Sequence, residues 1–398
     1  MNIVILTTVY PSKSNPVGET PIVHYFAREW VKAGHKVRVF HTLPRYPFFV
    51  YWVCRLFEKQ LVSRLGQTVP VQKPAIYHEF LEGVEVNHLS LFTFKRNARF
   101  KKSQIEHLFN RIVNELGEVQ PDAIIGHWFN PQLDLLYLLK QKYRRAKTSL
   151  VFHYISKDLN EYFKPDFRRL IDSLDIVGFR NKPARESFIA KYGALNKTFI
   201  ASSGVDSSFI ENSIVKSFEQ PIKKFIYVGM LIQRKHPKEL VTALASSYGN
   251  DPFDVTFVGE GDEYNSINDE YKRLHCTGEL LFTGRIERKE IIKHLNKADV
   301  FVMISDHETF GLVYLEAMAM GCITIASKGA GVDGIIKNGI NGFLCEQGNA
   351  KELSEIITKI RVMPQQELSA ISQKAVETAL SYSDSNVARR YLEDVMRN

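Results

Sequence analysis

Two doubly wound α/β domains in one chain are what this sequence predicts, and three observations carry that reading. At 398 residues the chain is too long for one ordinary core. In both halves, short apolar runs rich in β-branched residues alternate with helical patterns across polar or glycine-marked turns, the rhythm of parallel strands joined by crossover helices. With 44% hydrophobic and 24% charged residues, the composition is that of a packed globular protein rather than a disordered one.

The first half opens with a strand at residues 3–8, a Val9-Tyr10-Pro11 turn, and a Gly/Pro-punctuated loop from Asn15 to Pro21 that contains Gly18. A helical pattern from Ile22 to Ala33 stops at Gly34, and residues 36–42 form the next strand. This is a βαβ unit, whose ligands bind at the carboxyl ends of the strands. Residues 44–65 break the rhythm with interleaved aromatic and basic residues. A second such cluster runs from Phe92 to Lys102. Rings suited to the headgroup zone beside cations suited to anionic lipid describe an interfacial patch over 46–59 and 94–102. The plain alternative is a buried aromatic helix next to a solvated basic loop. Helix 105–117, strand 122–126, helix 131–144 and strand 148–153 follow, then strands 175–178 and 198–201. His127 and His153 each stand at the carboxyl end of a strand, where packing and ligand contact are both open to them.

The second half begins after a polar stretch, 206–223, which reads as a linker. Strand 224–229 runs into Arg234 and Lys235 just ahead of a helix, where the helix dipole disfavours two cations unless an anion accompanies them. Strand 254–259 enters Gly259-Glu260-Gly261, and strand 280–284 enters Arg285 and Ile286. Strand 298–305 is followed by His307-Glu308-Thr309-Phe310-Gly311-Leu312-Val313-Tyr314-Leu315-Glu316 and a helix ending at Gly321. The unpaired amides at that helix start make a phosphate site. Eight steps of ~100° place Glu308 and Glu316 roughly 80° apart, so Glu308 belongs at the mouth of the site and Glu316 beneath it.

This strand, loop and helix resembles the Glu-x7-Glu signature of the retaining GT-B glycosyltransferases of family 4, the glycosyl transferases of group 1. The resemblance implies two Rossmann-like domains facing across a cleft: an acceptor domain over 1–205 and a nucleotide-sugar domain over 224–380. It also implies a last helix, 381–398, that packs back on the first domain. In such enzymes the first Glu contacts the donor sugar, the second binds the ribose, and the Phe310-Gly311-Leu312 backbone faces the diphosphate. The resemblance further implies Gly18 in a loop near the donor, the base beside Arg285 and Ile286, and Gly229 opening the diphosphate loop. Lys235 and Arg234 would neutralise the leaving group, although Met230 stands where the family carries arginine. His153 matches a histidine near the transferred sugar, and Asp158, with His127, falls on the acceptor side. Catalysis is thereby assigned to Glu308, His153 and Lys235.

The reaction implied is retaining transfer of a sugar, uridine-linked in the donor, to a hydroxyl of a lipid-linked or cell-surface glycan. A sugar epimerase of the same architecture and a catalytically silent nucleotide-sugar-binding subunit are the rival readings. No two aspartates are separated by a single residue, so the metal-carrying Asp-x-Asp device is missing and neither a metal nor another cofactor is expected. Cys54, Cys276, Cys322 and Cys345 are scattered without ligand spacing. The net charge of +8 favours an anionic partner; without a nucleic-acid motif, membrane phosphate is preferred over nucleic acid. The apolar start reaches its turn too early for a signal peptide, so a cytoplasmic chain, peripheral on the inner face of the plasma membrane, is expected.

Overall fold

The structure, a computed structural model, describes residues 1–12, 21–58, 60–61, 69–95, 98–153, 155, 157–306, 308–329 and 331–397. They fall into two compact units. The first comprises Met1–Arg180, Ala184–Ser202 and the stretch from Val387; the second comprises Asn181–Pro183 and Ser203–Asn386.

The first unit is built on an eight-stranded sheet in the order β3-β4-β2-β1-β5-β6-β7-β8. The strands are β1 (Asn2–Thr7), β2 (Lys36–Arg45), β3 (Tyr77–Leu81), β4 (Val84–Phe92), β5 (Ala123–His127), β6 (Lys147–Phe152), β7 (Ile176–Phe179) and β8 (Thr198–Ile200). All are parallel except β3, which runs antiparallel to β4 at one edge. Both faces of the central strands are covered, so Ile3, Val4, Ile5 and Leu6 are all buried, as the apolar run requires. The helix Ile22–Lys32 buries Phe26, Ala27 and Trp30. Trp30 donates its indole N–H to the carbonyl of Ala388 at 2.8 Å, tying the C-terminal stretch to this unit.

The second unit holds a six-stranded, wholly parallel sheet: β9 (Lys224–Val228), β10 (Asp254–Val258), β11 (Leu280–Gly284), β12 (Val300–Met303), β13 (Ile323–Ser327) and β14 (Phe343–Cys345). Its order is β11-β10-β9-β12-β13-β14. Its core includes Phe225, Tyr227, Phe257, Phe301 and Ile325 from the strands and Leu240, Leu244, Leu315 and Met318 from the helices.

The structure departs from the sequence reading at four places. The β3–β4 hairpin was not anticipated, because β4 turns Asn87 and His88 into the interior and breaks the apolar alternation that marks a strand. Strand β2 runs to Arg45, through Pro44. Beyond His41 it pairs with β4 and no longer with β1, so Pro44 needs no amide on that side. The segment 206–223, read as a linker, packs into the second unit instead, with Phe209, Phe218 and Ile222 fully buried. The return to the first unit starts at Val387 rather than at 381.

The helix Phe48–Leu56 shows an inverted pattern. Tyr51 and Cys54 are its buried residues, whereas Phe48, Phe49, Trp52, Val53 and Leu56 are exposed. Among the described residues, no helix is long and apolar enough to cross a membrane.

Candidate active site

In an open parallel sheet the carboxyl ends of the strands form a crevice where strand order reverses. In the second unit that point lies between β9 and β12, which are neighbours although β10 and β11 intervene in sequence. Chain leaving β9 is Gly229 to Lys235, and chain leaving β12 runs from Ile304 to Gly311. The sheet order alone therefore brings together the two stretches in which the sequence places cations and carboxylate.

The first stretch is held by glycines. A Cβ on Gly259 would lie 2.0 Å from the carbonyl oxygen of Gly229, and one on Gly261 would lie 2.1 Å from that of Leu231. Gly259-Glu260-Gly261 thus provides the close approach that seats the 229–231 backbone, with Leu231 N–H donating to the Glu260 carbonyl at 2.9 Å. The chain then makes a single 3-10 turn, Gln233–Lys235, closed by His236 in the left-handed region (φ 51°), before Pro237 opens the helix Pro237–Tyr248. This turn sends Lys235 inward, its Nζ 3.4 Å from Glu308 Oε2, both side chains being largely buried. Arg234 points outward. Its carbonyl accepts from Asp306 N–H at 2.7 Å, its guanidinium lies 3.5 Å from the Asp306 carbonyl, and His236 Nε2 is 3.0 Å from Asp306 Oδ1. Met230 is exposed.

The second stretch ends at Gly311, left-handed at φ 73°, which caps the helix Leu312–Ala319. A Cβ there would meet the Tyr314 ring at 2.4 and 2.6 Å, so only glycine fits. The ring cannot yield easily, being buried with its hydroxyl donating to the Met303 carbonyl at 2.8 Å. Burial, reinforced by the Glu308 charge, holds the Tyr314 phenol in its protonated form. Phe310 is buried and Leu312 half-buried. The Glu308 carbonyl accepts from Gly331 N–H at 2.7 Å, and Asn181 Nδ2 donates to the Thr309 carbonyl at 2.6 Å.

Glu316, in the second turn of that helix, is buried and forms an ion pair with Arg288. Burial raises its carboxyl above the ordinary value, and the Arg288 guanidinium opposes that shift. Arg288 also stands over the Phe209 ring, 5.5 Å from its centroid. Arg285 is exposed, its backbone N–H 3.4 Å from Glu260 Oε1, and Ile286 is half-buried. The sequence reading passed over Arg288, although a cation in the first turn of the helix Arg288–Lys297 is disfavoured by the dipole just as Arg234 and Lys235 are.

In the first unit, Gly18 lies outside the described residues. His153 Nε2 is 2.9 Å from His127 Nδ1, and its ring stacks on Trp128 with centroids 3.9 Å apart. His127 does not line a surface: it is fully buried, with Nε2 3.3 Å from the Tyr391 hydroxyl. Strand β5 aims its last side chain inward, so in place of the expected acceptor contact His127 packs inside the unit against His153. Burial and the nearby buried Arg180 keep both imidazoles neutral, pushing His127 down to about 3 and His153 well below the ordinary value. The Asp158 carboxylate caps a helical turn, accepting from Asn160 and Glu161 N–H groups at 3.0 and 3.2 Å. It also pairs with Lys191 at 3.0 Å, and that contact lowers its carboxyl.

Residues 210–377 match the family model described as glycosyl transferases group 1. N-acetyl-alpha-D-glucosaminyl L-malate synthase of Bacillus anthracis is 30% identical over 33% of this chain and 34% of its own length, so the match spans about a third of that relative. Among solved structures, a glycosyltransferase from Rickettsia africae superposes with a TM-score of 0.70 at 16% identity, covering 100% of this chain and 99% of that one. HepE of Anabaena, solved with UDP and glucose, gives 0.61 at 18% identity over 99% and 98% of the two chains. The fold is the GT-B arrangement of two doubly wound sheets.

Proposed function

We propose that this chain, whose residues 210–377 carry the glycosyl transferases group 1 family, transfers a sugar from a nucleotide diphosphate to a hydroxyl of a lipid-linked or cell-surface glycan, with retention and without a metal. The observation that carries the reading is Lys235 Nζ standing 3.4 Å from Glu308 Oε2 beside the amino end of the helix Leu312–Ala319.

In this reading the diphosphate lies against the Gly311 and Leu312 amides, with Lys235 as its counter-charge. Arg234, already turned towards Asp306, adds long-range field only. Glu316, steadied by Arg288, accepts hydrogen bonds from the ribose hydroxyls, and the base lies by Arg285 and Ile286. The uridine choice draws on the UDP held by HepE. As the bond between sugar and diphosphate breaks, charge grows on the phosphate oxygens. A fixed ammonium and helix amides then stabilise the transition state more than the ground state. Glu308 orients the sugar, while the acceptor hydroxyl attacks from the leaving-group face and passes its proton to the departing phosphate oxygen. On the first unit, His153 supplies a neutral imidazole for a sugar hydroxyl. The exposed aromatic and basic stretches 46–59 and 94–102 meet an anionic membrane surface; of these, Lys59, Arg96 and Asn97 lie outside the described residues.

Turnover of a panel of nucleotide sugars by the wild type and by Glu308→Gln tests the assignment. Transfer that disappears in the variant while nucleotide binding persists supports it. A wild type that binds nucleotide yet turns over no donor supports the silent subunit, which the exposed Met230 in place of arginine favours.

A further inference from the structure

A cation cluster in the first unit takes no part in the chemistry above. A cavity of about 340 Å³ is lined by Arg45, Ser90, Ser103, Gln104, His107 and Arg111, among others. Arg45 and Arg111 are both half-buried, and among the described residues no carboxylate lies within ion-pair distance of either. Two sheltered guanidiniums without a counter-charge, beside two hydroxyls, make a place for a phosphate, which Arg binds through a two-pronged donor set. Arg45 is kept in place by lying over the Phe92 ring, 5.8 Å from its centroid.

The surroundings say which phosphate. Arg45 and Phe92 are register partners at the ends of β2 and β4. Two residues beyond Arg45, Pro47 opens the helix Phe48–Leu56, and two residues beyond Phe92 stands Phe94, 78% exposed. On the helix, positions 48, 49, 52, 53 and 56 fall on one face, and all five are exposed, Phe48 by 85%. No acidic residue occurs from 45 to 57, while Arg55, Lys95, Lys101 and Lys102 are nearby in the chain. An outward apolar stripe whose neighbours in sequence are more often cations than carboxylates, Glu58 being the acidic residue that follows it, fits the boundary between acyl chains and anionic headgroups. Charge complementarity therefore selects a lipid surface over an apolar protein partner.

We propose that Arg45, His107 and Arg111 form a headgroup pocket for the phosphate of an anionic phospholipid, seated while the helix Phe48–Leu56 lies in the membrane interface. This deepens the membrane reading given above and rests on it. The test is flotation of the full chain with vesicles of phosphatidylcholine, with and without phosphatidylglycerol. It compares wild type, Arg45→Gln/Arg111→Gln and, as a charge-matched control outside the pocket, Lys95→Gln/Lys102→Gln. Each basic residue near an anionic leaflet adds roughly fivefold to partitioning. Both double variants should lose that generic share, and the pocket variant should fall at least about tenfold further. Arg45→Lys/Arg111→Lys, which keeps both charges, should recover the generic share but not the rest. Phe49→Ser/Trp52→Ser should lose flotation while keeping its rise in melting temperature with UDP, which shows that the chain is folded. Equal losses in the pocket and control variants overturn the pocket and leave the membrane surface standing. A wild type that floats with neither vesicle overturns both.

Discussion

Replacing Gly311 by alanine probes the amino end of the helix on which the donor site depends. The added Cβ would stand 2.4 Å from Cε2 and 2.6 Å from Cδ2 of Tyr314, far inside van der Waals contact. The ring is 1% exposed and anchored through its hydroxyl to Met303, so the backbone of 308–312 must move instead. Holding alanine at φ 73° costs roughly 1–2 kcal/mol, and overpacking a filled site adds about 1–3 kcal/mol. A loss of about 3 kcal/mol converts, at ~2–4 °C per kcal/mol for a domain of this size, to a fall of about 6–12 °C in Tm. The displaced amides should also weaken UDP binding by about tenfold, equivalent to ~1.4 kcal/mol. Differential scanning calorimetry gives the first quantity and isothermal titration the second. A Gly311→Ala variant that melts within ~1 °C of wild type and binds UDP unchanged would refute the left-handed cap and the packing of Tyr314 against it.

Other consequences are as direct. Arg288→Met leaves Glu316 buried without its counter-charge. Breaking such a pair typically costs ~3–5 kcal/mol, reduced to about 2 kcal/mol because a third of the Arg288 side chain is exposed. Adding Glu316→Gln should restore most of that in urea melts, and a double variant no more stable than the single one would contradict the pairing. His41 and His127 are both depressed to about 3, and His153 also lies well below the ordinary imidazole value. A histidine depressed in the fold binds fewer protons there than when unfolded. Its stabilisation is therefore complete above about pH 6.5 and is lost as pH falls from there towards about 3. His127→Gln should flatten the stability-against-pH slope below pH ~6.5 by up to ~1.4 kcal/mol per pH unit, and an unchanged slope would exclude the linkage. Finally, EDTA should leave turnover intact. Loss of activity that magnesium restores would transfer the counter-charge role from Lys235 to a metal.

The central strands of both sheets were legible because they are covered on two faces, so each reads as a run of buried apolar residues with no alternation to decode. The donor loop was legible for a different reason: Glu308 and Gly311 sit where a buried strand gives way to a helix, and that change of period is visible in one short stretch. Pairings set by topology left no such trace. Arg288 and Glu316 are separated by 28 residues, and His127 and Tyr391 by 264. Nothing local distinguishes a carboxylate that meets a guanidinium from one that meets solvent. The β3–β4 hairpin was hidden because its inward positions include the polar Asn87 and His88; the burial of His88 relies on partners elsewhere, its Nδ1 3.0 Å from His41 Nδ1 and its Nε2 2.9 Å from Glu79. The aromatic stretch 44–65 reads equally as an interfacial patch or a buried helix, and it is the fold that turns the apolar face of the helix Phe48–Leu56 outward.

The most direct measurement is a pair of titrations, UDP and uridine, into wild type and Lys235→Ala. If the ammonium grips diphosphate, the variant should lose about 10- to 100-fold for UDP, matching ~1.5–3 kcal/mol for a hydrogen bond to a charged group, and nothing for uridine. Equal affinities of wild type and variant for UDP, or equal losses for both ligands, would place the diphosphate elsewhere.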